Sequence, residues 1–462
     1  MQNNNLRNQN NFVNLNTLSP LDNRYSKDVS ELRDIFSYKS WITYRVMVEL
    51  EYFKHLANLV NLEIDEVNLN RFYSLYNRIT DNDINDILRI ELSTHHDIKA
   101  IEYWLRQKYL ELDIGDTRYQ EYIHFGLTSQ DINSVAFSLQ LRDCLNSSLK
   151  PLMIQIGTLI CNAGQNWVNI PILAHTHGQP AVPTFLGKEF YVFWERLIYI
   201  YHKIEQFETN TKFGGAVGNL NAHFLAFPEI NWFQEMNNFC VNLGLRRWKY
   251  TTQISNYEDI IYISHLIMEF NNVLIDLSQD IWLYVSKNYF KLNLEQGGQV
   301  GSSTMPQKVN PINFENAEGN LKIANSNLEM LTRKLPISRL QRDLTDSTVL
   351  RNFGTYIGYS IVAYKNILKG LNKLQPNIDV IVRDLESHPE ILGEGVQTIL
   401  RKYGVPDGYN IIKNCSQNVN FESVEHFLSI VVNHLSGLDI PQEALDEIRN
   451  ITMESYCGRI DI

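Results

Sequence analysis

The sequence has no run of eighteen consecutive apolar residues, which argues against a membrane-spanning helix. Its opening residues, MQNNNLRNQNNFVNLN, also lack the apolar core of a signal peptide. We therefore expect a cytoplasmic protein without a membrane partner, with residues 1–20 as a disordered leader. Clustered cysteines are absent as well, so we expect buried free thiols, and neither a zinc site nor a redox dithiol, at Cys144, Cys161, Cys240, Cys415 and Cys457.

Positive charge is in short supply, and one region has no charge at all. The formal net charge is -11 at pH 7, so we expect no nucleic-acid partner, and an anionic ligand needs a local cluster of basic residues. Residues 151–187 contain no Asp, Glu, Lys or Arg. This segment is either a buried helix followed by a buried loop, or a protein-enclosed polar site around its AHTHGQPAVPT stretch.

Helical periodicity dominates what the sequence does contain. Apolar residues spaced alternately three and four apart form a seam at Ile260, Ile263, Ile267, Phe270, Leu274, Leu277, Ile281 and Tyr284. Similar patterns cover residues 30–56, 131–163, 185–207, 312–335 and 349–371, whereas alternating strand-like segments are scarce. We predict an all-α protein built around a bundle of long helices, including a rod over Tyr257–Tyr289, that other subunits complete.

Three polar clusters have both a functional and a purely structural interpretation. In STHHDIKAIEYWL, His96 and Lys99 share a helix face, but a metal site needs a third ligand, and an exposed helix start explains the pattern. In HFGLTSQDIN, Thr128 and Ser129 either cap a helix or hold an anionic group at its free amides. In HTHGQP, His177 is either a proton donor, because an imidazole can give up a proton near neutral pH, or an ordinary structural histidine.

The segment LPISRLQRDLTDSTVLRN combines guanidinium groups with hydroxyls. Ser347 and Arg351 lie one helical step apart on one face, and the combination of guanidinium groups, hydroxyls and a helix start suits a phosphate group. The alternative is a surface helix whose carboxylates neutralise its arginines. The residues concerned are Arg339, Arg342, Arg351, Asp343 and Asp346.

The segment GSSTMPQKVNP contains two serines, Ser302 and Ser303, with no histidine or carboxylate within five residues to activate them. A serine becomes an effective base only when a closing loop excludes solvent and surrounds the alkoxide with amides and a cation such as Lys308. Flanking glycines would let one end of the segment close, while Pro311 begins a helix with Asn310 at its cap.

Together these segments resemble a known family. GSSTMPQKVNP is similar to the signature of the fumarase/aspartase superfamily, whose members release fumarate by anti β-elimination. Within it, the chain resembles the adenylosuccinate lyases of the bacterial type from about Leu18 to the C-terminus. The motifs that carry the resemblance are SPLDNRY, HHDIKA, HFGLTSQDIN, HTHGQP, GGAVGNLNAH, YTTQ, GSSTMPQKVNPINFEN and QRDLTDSTVLRN.

The resemblance implies roles for individual residues. Ser302 would remove the Cβ proton of the substrate, and His177 would protonate the leaving nitrogen. The implied phosphate and nucleotide contacts are Arg24, Tyr25, His95, His96, Asp97, Arg342, Ser347, Thr348, Val349, Leu350 and Arg351. The implied contacts of the succinyl carboxylates and neighbouring groups are Thr128, Ser129, Gln253, Ser303, Lys308, Val309, Asn310 and Asn316.

Two positions depart from the family pattern. His175 stands where arginine is frequent, which could alter how His177 is oriented or add a second titrating group. Gln307 replaces a histidine that is common in this subgroup. Neither residue is the implied acid or base, so the implied reaction is unaffected.

The resemblance also implies architecture and activity. The expected fold has three helical domains, over residues 21–118, 119–371 and 372–462, and forms a homotetramer with a superhelical core and active sites shared between subunits. The expected reactions eliminate fumarate from adenylosuccinate, giving AMP, and from succinyl-aminoimidazole carboxamide ribotide, giving AICAR, in purine biosynthesis. The resemblance implies neither a metal nor an organic cofactor.

Other functions explain fewer of these residues. Another superfamily member, such as argininosuccinate lyase or fumarase, would have no obvious use for the cluster of Arg24, Arg342 and Arg351. A non-catalytic helical scaffold would not need both His177 and Ser302. A nucleotide-binding regulator without turnover would leave the serine loop unexplained.

Overall fold

Helices make up most of the structure, a computed structural model that describes residues 16–293, 305, 308–417 and 419–461. The α-helices are α1 (Ser30–Phe36), α2 (Tyr38–Leu59), α3 (Glu66–Tyr73), α4 (Asp81–Thr94), α5 (Asp97–Glu111), α6 (Ser129–Cys144), α7 (Lys150–Asn166), α8 (Leu186–Glu205), α9 (Asn221–Ala226), α10 (Trp232–Asn242), α11 (Glu258–Ser286), α12 (Ile312–Lys334), α13 (Thr345–Leu350), α14 (Phe353–Leu371), α15 (Ile378–Glu386), α16 (Gly393–Lys402), α17 (Gly408–Ser416), α18 (Val424–Leu435), α19 (Gln442–Arg449) and α20 (Met453–Tyr456). Short 3₁₀ turns cover Pro20–Asp22, Ser74–Arg78, Thr117–Tyr122 and Pro389–Leu392.

Within the ranges that the structure describes, six short strands form three two-stranded sheets. They are β1 (Pro171–Thr176), β2 (Gln179–Phe185), β3 (Asn210–Thr211), β4 (Arg246–Arg247), β5 (Phe290–Leu292) and β6 (Leu374–Pro376). Strands β1 and β2 pair antiparallel, as do β5 and β6, whereas β3 and β4 pair in parallel. The all-α prediction is confirmed, because no described sheet exceeds two strands.

The predicted long helices are confirmed, with two interruptions. Ser37 is extended and its side chain accepts a hydrogen bond from the Ser40 amide, so the pattern predicted over 30–56 is two helices, α1 and α2. The pattern over 349–371 is likewise divided between α13 and α14. Helices α6 and α7 are continuous through a π-helical turn, Leu145–Leu149, where Pro151 has no amide hydrogen to continue the α-helical ladder.

Helix α11 is the predicted rod, with 29 residues and a length of about 44 Å at 1.5 Å per residue. Its seam residues from Ile260 to Ile281 are buried, and Tyr284 is half-buried. By length and composition α11 could cross a membrane, but the buried core helices of soluble proteins pass the same test. Because the seam is buried, the apolar residues of α11 are explained by helix packing.

The chain divides into two compact units, each discontinuous in sequence. The first unit contains residues up to 153, 200–272 and 319–365; the second contains 154–199, 273–318 and those from 366 onwards. The first has a core of edge-to-face aromatic rings, such as those of Phe53, Phe72 and Tyr109. The second packs aliphatic residues from α16 and α18. The predicted three-domain division stays a prediction.

The uncharged segment ends in a β-hairpin, where we predicted a loop. Helix α7 precedes it as expected, and Ile172 and Leu173 bury its base. The tip pairs Thr176 with Gln179, and both turn residues have positive φ, 53° at His177 and 74° at Gly178. This is the backbone pattern of a tight two-residue hairpin. The tip is exposed, so the described residues do not by themselves form the enclosed polar site.

All five cysteines are free thiols, as predicted, but not all are buried. Cys144, Cys240 and Cys415 are buried, whereas Cys161 and Cys457 are partly exposed. The expectation of uniform burial is wrong because Cys161 lies on a less buried face of α7 and Cys457 follows the last helix.

Substitution of Gly187 by alanine should destabilise the second unit. A Cβ at this position would lie 2.3 Å from the Gly164 carbonyl oxygen and 2.7 Å from backbone atoms of Val168. We expect a loss of about 1–3 kcal/mol in the free energy of unfolding, because backbone atoms cannot move aside cheaply. Chemical denaturation would measure it.

Gly157→Ala is the matched control, because a Cβ there meets no atom within 4 Å. We expect no loss and a gain of up to about 1 kcal/mol from improved helix propensity. Equal stability of the two variants would contradict the close approach of α8 to the end of α7.

Candidate active site

A cavity of about 380 Å³ in the first unit gathers much of the predicted site. Its walls come from α2, the junction of α4 and α5, the start of α6, and the segment around α13. The predicted site residues that line it are His95, His96, Asp97, Ser129, Arg342, Ser347, Leu350 and Arg351. Residues more than 250 positions apart in sequence therefore share one cavity.

The two histidines lie where α4 ends and α5 begins. His95 is in the left-handed region, with φ 51°, and its amide donates to the Glu91 carbonyl at 2.8 Å. His96 caps α5, since its Nδ1 accepts from the Lys99 amide at 3.2 Å. A neutral His96 ring therefore carries its proton on Nε2, which is free of this cap. The helix-start interpretation of this cluster is confirmed, and its functional interpretation stays a prediction.

Asp97 lies between two arginines at the cavity wall. Its Oδ2 is 3.0 Å from Nη2 of Arg45 and 3.6 Å from Nη2 of Arg351. Burial acts to raise the Asp97 pKa, but Arg45, the Ile98 amide and Arg351 outweigh it, so the pKa lies below its usual value. Burial beneath the Trp41 ring lowers the pKa of Arg45 to about 10, which leaves it charged at neutral pH.

The alternative interpretation, a surface helix whose carboxylates neutralise its arginines, is met at Arg339. Asp343 contacts Arg339 at 3.3 Å, and the buried Asp346 accepts a hydrogen bond from the Tyr257 hydroxyl at 2.6 Å. Arg342 instead donates to Oε1 of Gln253 at 3.0 Å. Arg342 and Arg351 both line the cavity.

The predicted helix start is present, but two of its amides already have side-chain partners, Asp343 and Asp346. Helix α13 has six residues and begins at Thr345, so Ser347 lies within it. The Ser347 amide donates to Oδ1 of Asp346 at 2.7 Å, and its hydroxyl accepts from Nε2 of Gln130 at 3.1 Å. Guanidinium and hydroxyl groups, rather than free helix amides, are what this segment offers an anion.

The start of α6 is held by a buried ion pair. Asp131 Oδ2 accepts from the Thr128 amide at 2.9 Å, and Oδ1 accepts from Lys212 Nζ and the Gly214 amide, both at 2.7 Å, and from the Gly215 amide at 3.1 Å. Lys212 and Asp131 are fully buried. Burial lowers the pKa of Lys212, and its partner Asp131 opposes that shift. This network fixes the helix start against the GGAVG loop.

The remaining predicted residues of the first unit do not line the cavity. Arg24 is exposed and Tyr25 half-buried. Thr128 caps α6, and Gln253 contacts the cavity residue Arg342. Thr348 and Val349 are on α13, where neither joins the lining.

Other predicted residues belong to the second unit or lie outside the described residues. His177 is at the hairpin tip, and Lys308, Val309 and Asn310 precede α12, which contains Asn316. Helix α12 begins at Ile312 with Pro311 before it, one residue later than predicted. Ser302, Ser303 and Gln307 are outside the described residues. Within the described ranges, no three His, Cys, Asp or Glu side chains form a group that could hold a metal ion.

His175, which departs from the family pattern, has two partners in the second unit. Its Nδ1 contacts the Leu173 carbonyl at 3.1 Å, and Lys287 Nζ donates to its Nε2 at 2.7 Å. Burial and the Lys287 ammonium both lower the His175 pKa. We therefore expect His175 to be uncharged at neutral pH, so it does not replace the charge of an arginine.

Known proteins match this chain along nearly its whole length. A sequence profile described as "Lyase" matches residues 23–324, and one described as "Adenylosuccinate lyase C-terminal" matches residues 338–457. The adenylosuccinate lyase of Dictyostelium discoideum is 43% identical over 97% of each chain. That of Escherichia coli (strain K12) is 39% identical over 96% of this chain and 97% of its own. The chain belongs to the adenylosuccinate lyase family.

Solved structures share the fold of this lyase family member at low identity. A fumarate lyase from Mesorhizobium sp. BNC1 has a TM-score of 0.71 at 17% identity and covers 93% of this chain and 95% of its own. The 3-carboxy-cis,cis-muconate lactonizing enzyme from Pseudomonas putida has a TM-score of 0.72 at 17% identity, with coverage of 93% and 94%. These similarities establish the fold alone.

Several residues of this lyase's cavity were not predicted from the sequence. Arg45 is buried on α2, as is Glu49 one turn later, and charged residues within an apolar helical pattern are the signal that could have marked Arg45. Gln130, Asn133 and Ser138 follow helical spacing along α6. Lys212, which holds the start of α6 and is not part of the lining, left no local signal, because its partner is 81 residues away.

Removal of the Lys212 ammonium should destabilise the first unit. Lys212→Met leaves the Asp131 carboxylate buried without a cation, so we expect the free energy of unfolding to fall by about 3–5 kcal/mol. Chemical denaturation would measure the change, and adding Asp131→Asn should recover part of it.

Lys39→Met provides the control, because Lys39 and Asp81 form an ion pair with side chains 50% and 84% exposed. We expect its removal to change stability by no more than about 1 kcal/mol. Similar losses for the buried and exposed pairs would show that the Asp131 network does not hold the unit together.

Proposed function

We propose that this chain cleaves adenylosuccinate to AMP and fumarate, and succinyl-aminoimidazole carboxamide ribotide to AICAR and fumarate. The observation that carries the proposal is the joint lining of one cavity by Arg342, Ser347 and Arg351. Guanidinium and hydroxyl groups suit the phosphate that both substrates carry. Argininosuccinate and malate have no such group to occupy these side chains.

The proposed reaction transfers two protons. Ser302, as an alkoxide, removes the Cβ proton, and the released electron pair forms an aci-carboxylate that amides and cations must stabilise. Lys308 and Asn310 are the proposed donors to it. Collapse of this species forms the double bond of fumarate as the C–N bond breaks, and its electron pair passes to nitrogen. His177 protonates that nitrogen.

The backbone around His177 supports its proposed role. A non-glycine residue with φ of 53° is uncommon, and here it projects the histidine at the exposed tip of a hairpin whose base is buried. A satisfied core histidine would not be presented in this way. The tip therefore suits a group that must reach a substrate bound by other segments.

We also propose that the active enzyme is a cytoplasmic homotetramer of three-domain chains with sites shared between subunits. The long helices carry large apolar side chains that are exposed in the single chain and that subunit contacts would cover. They are Ile154, Val192, Tyr199, Tyr262, Trp282, Leu283, Ile323 and Met330. A molar mass by light scattering of about four times 53.8 kDa is the expected result.

Alanine variants of the proposed acid and base should lose most activity. We expect Ser302→Ala and His177→Ala to lower kcat by about 10²-fold or more, because each removes a proton-transfer group. Ser303→Ala should retain more activity than Ser302→Ala. The absorbance change on adenylosuccinate cleavage gives the rates.

Full activity in Ser302→Ala would contradict the base assignment. An inactive wild-type protein that still binds AMP would instead favour a nucleotide-binding protein without turnover, and one that does neither would favour a scaffold. Gly157→Ala serves as a control for general effects of substitution, since its added Cβ meets nothing.

Mixing two inactive variants should restore activity if subunits share sites. The Ser302→Ala and His177→Ala proteins are dissociated and reassembled together. Some mixed sites would then combine the His177 of a Ser302→Ala subunit with the Ser302 of a His177→Ala subunit. We expect partial recovery of cleavage in the mixture and none in either protein treated alone. No recovery in mixed tetramers would show that each site takes both groups from one chain.

A further inference from the structure

Helix α6 presents a polar face to the cavity of the first unit. Gln130, Asn133, Ser134 and Ser138 all line it, at the spacing of one helix face, and Gln130 and Ser138 are buried. Polar groups shielded from water need hydrogen-bond partners. The hydrogen-bonding groups of such a face are paired either with other protein groups or with a polar ligand.

Three of the four side chains have partners within the protein. Gln130 donates to the Ser347 hydroxyl at 3.1 Å. The Ser138 hydroxyl donates to the Asn210 carbonyl at 2.7 Å. The Ser134 hydroxyl lies 3.1 Å from the Thr211 hydroxyl and accepts from the Lys212 amide at 2.9 Å. These contacts account for the structural part of the polar face.

Asn133 is different, because its Oδ1 is shielded from solvent and has no hydrogen-bond partner among the residues that the structure describes. A second cavity residue has the complementary feature. Nε of Arg45, whose side chain is 4% exposed, is likewise without an acceptor in the described part of the chain. Two residues of the cavity lining thus carry one unmatched acceptor and one unmatched donor in the described part of the chain.

The chemistry of these two atoms restricts the ligand. Phosphate and carboxylate groups, when ionised, cannot donate a hydrogen bond to the Asn133 oxygen. A sugar hydroxyl both donates and accepts, so it can satisfy an amide oxygen and a guanidinium N–H. Asn133 is also only three residues from Gln130, which contacts the proposed phosphate ligand Ser347. Ribose is the part of a nucleotide bonded to its phosphate.

We propose that Asn133 Oδ1 accepts a hydrogen bond from a ribose hydroxyl of the substrate, with Arg45 Nε–H available as the donor to the same sugar. The inference rests on the proposed function, since it assumes that a nucleotide occupies this cavity. It assigns ribose recognition to α6, apart from the residues that bind phosphate or perform proton transfer.

The test compares adenylosuccinate with its 2′-deoxy and 3′-deoxy forms. We expect the wild type to cleave one of the two deoxy substrates with kcat/KM lowered about tenfold or more, as expected when a buried hydrogen-bond acceptor loses its partner. Asn133→Ala should cleave adenylosuccinate with a similar loss. It should lose little further on that deoxy substrate, because the hydrogen bond is already absent.

Ser134→Ala is the matched control on the same helix face. Its hydroxyl already has protein partners, so any loss should be equal for the three substrates. Equal losses for all three in Asn133→Ala, or a wild type that cleaves both deoxy substrates as well as adenylosuccinate, would overturn the proposal. The latter result would leave the lyase activity itself established.

Two further measurements keep the test decisive if Asn133→Ala misfolds or if the protein has no lyase activity. Asn133→Ser keeps a polar group at the position, and circular dichroism would verify its fold before the same comparison. Calorimetric binding of AMP, 2′-deoxy-AMP and 3′-deoxy-AMP tests the ribose contact without turnover. Weaker binding of one deoxy nucleotide to the wild type supports the proposal, and equal binding of all three overturns it.

Discussion

The carboxylate of Asp131 is the contact on which the geometry of the candidate site depends. It accepts hydrogen bonds from the Lys212 ammonium and from the amides of Thr128, Gly214 and Gly215. A buried ion pair is stable only when such additional hydrogen bonds satisfy both charges. Because these donors come from two distant segments, the pair sets the position of α6, and with it the polar face that the helix turns to the cavity.

Two arginines share one carboxylate, that of Asp97, at the cavity wall, and this sharing sets the charge there. Asp97 contacts the buried Arg45 at 3.0 Å and the more exposed Arg351 at 3.6 Å, so its charge is divided between them. Arg351 is positioned by this contact without being fully neutralised. A doubly charged phosphate can therefore add to the cluster, and the low Asp97 pKa keeps that carboxylate ionised beside it.

Local sequence patterns predicted the helices well, but they could not predict contacts between residues distant in sequence. The seam of α11 could be predicted because helical packing imposes a short period on the sequence, whereas the break at Ser37 depends on one side chain leaving helical conformation. The hairpin was missed because prolines around His177 favour a loop and its turn needs positive φ at a histidine.

The same distinction applies to the candidate site: groups of adjacent residues could be predicted, and contacts between distant residues could not. Clusters such as His95 to Asp97 are visible because their residues are adjacent, but their meeting with Arg351 was implied only by family resemblance. Lys212 and Asp131 could not be paired from sequence, because a buried charge looks like any other until its partner is known. Asn133 was inconspicuous because only a cavity makes an unmatched amide oxygen informative.

A crystal structure of the protein with bound AMP would test whether the cavity of the first unit binds the nucleotide by its phosphate. The phosphate oxygens should lie about 3 Å from the donor atoms of Arg342, Ser347 and Arg351. AMP bound elsewhere, with these three side chains contacting no phosphate, would show that this cavity is not the phosphate site.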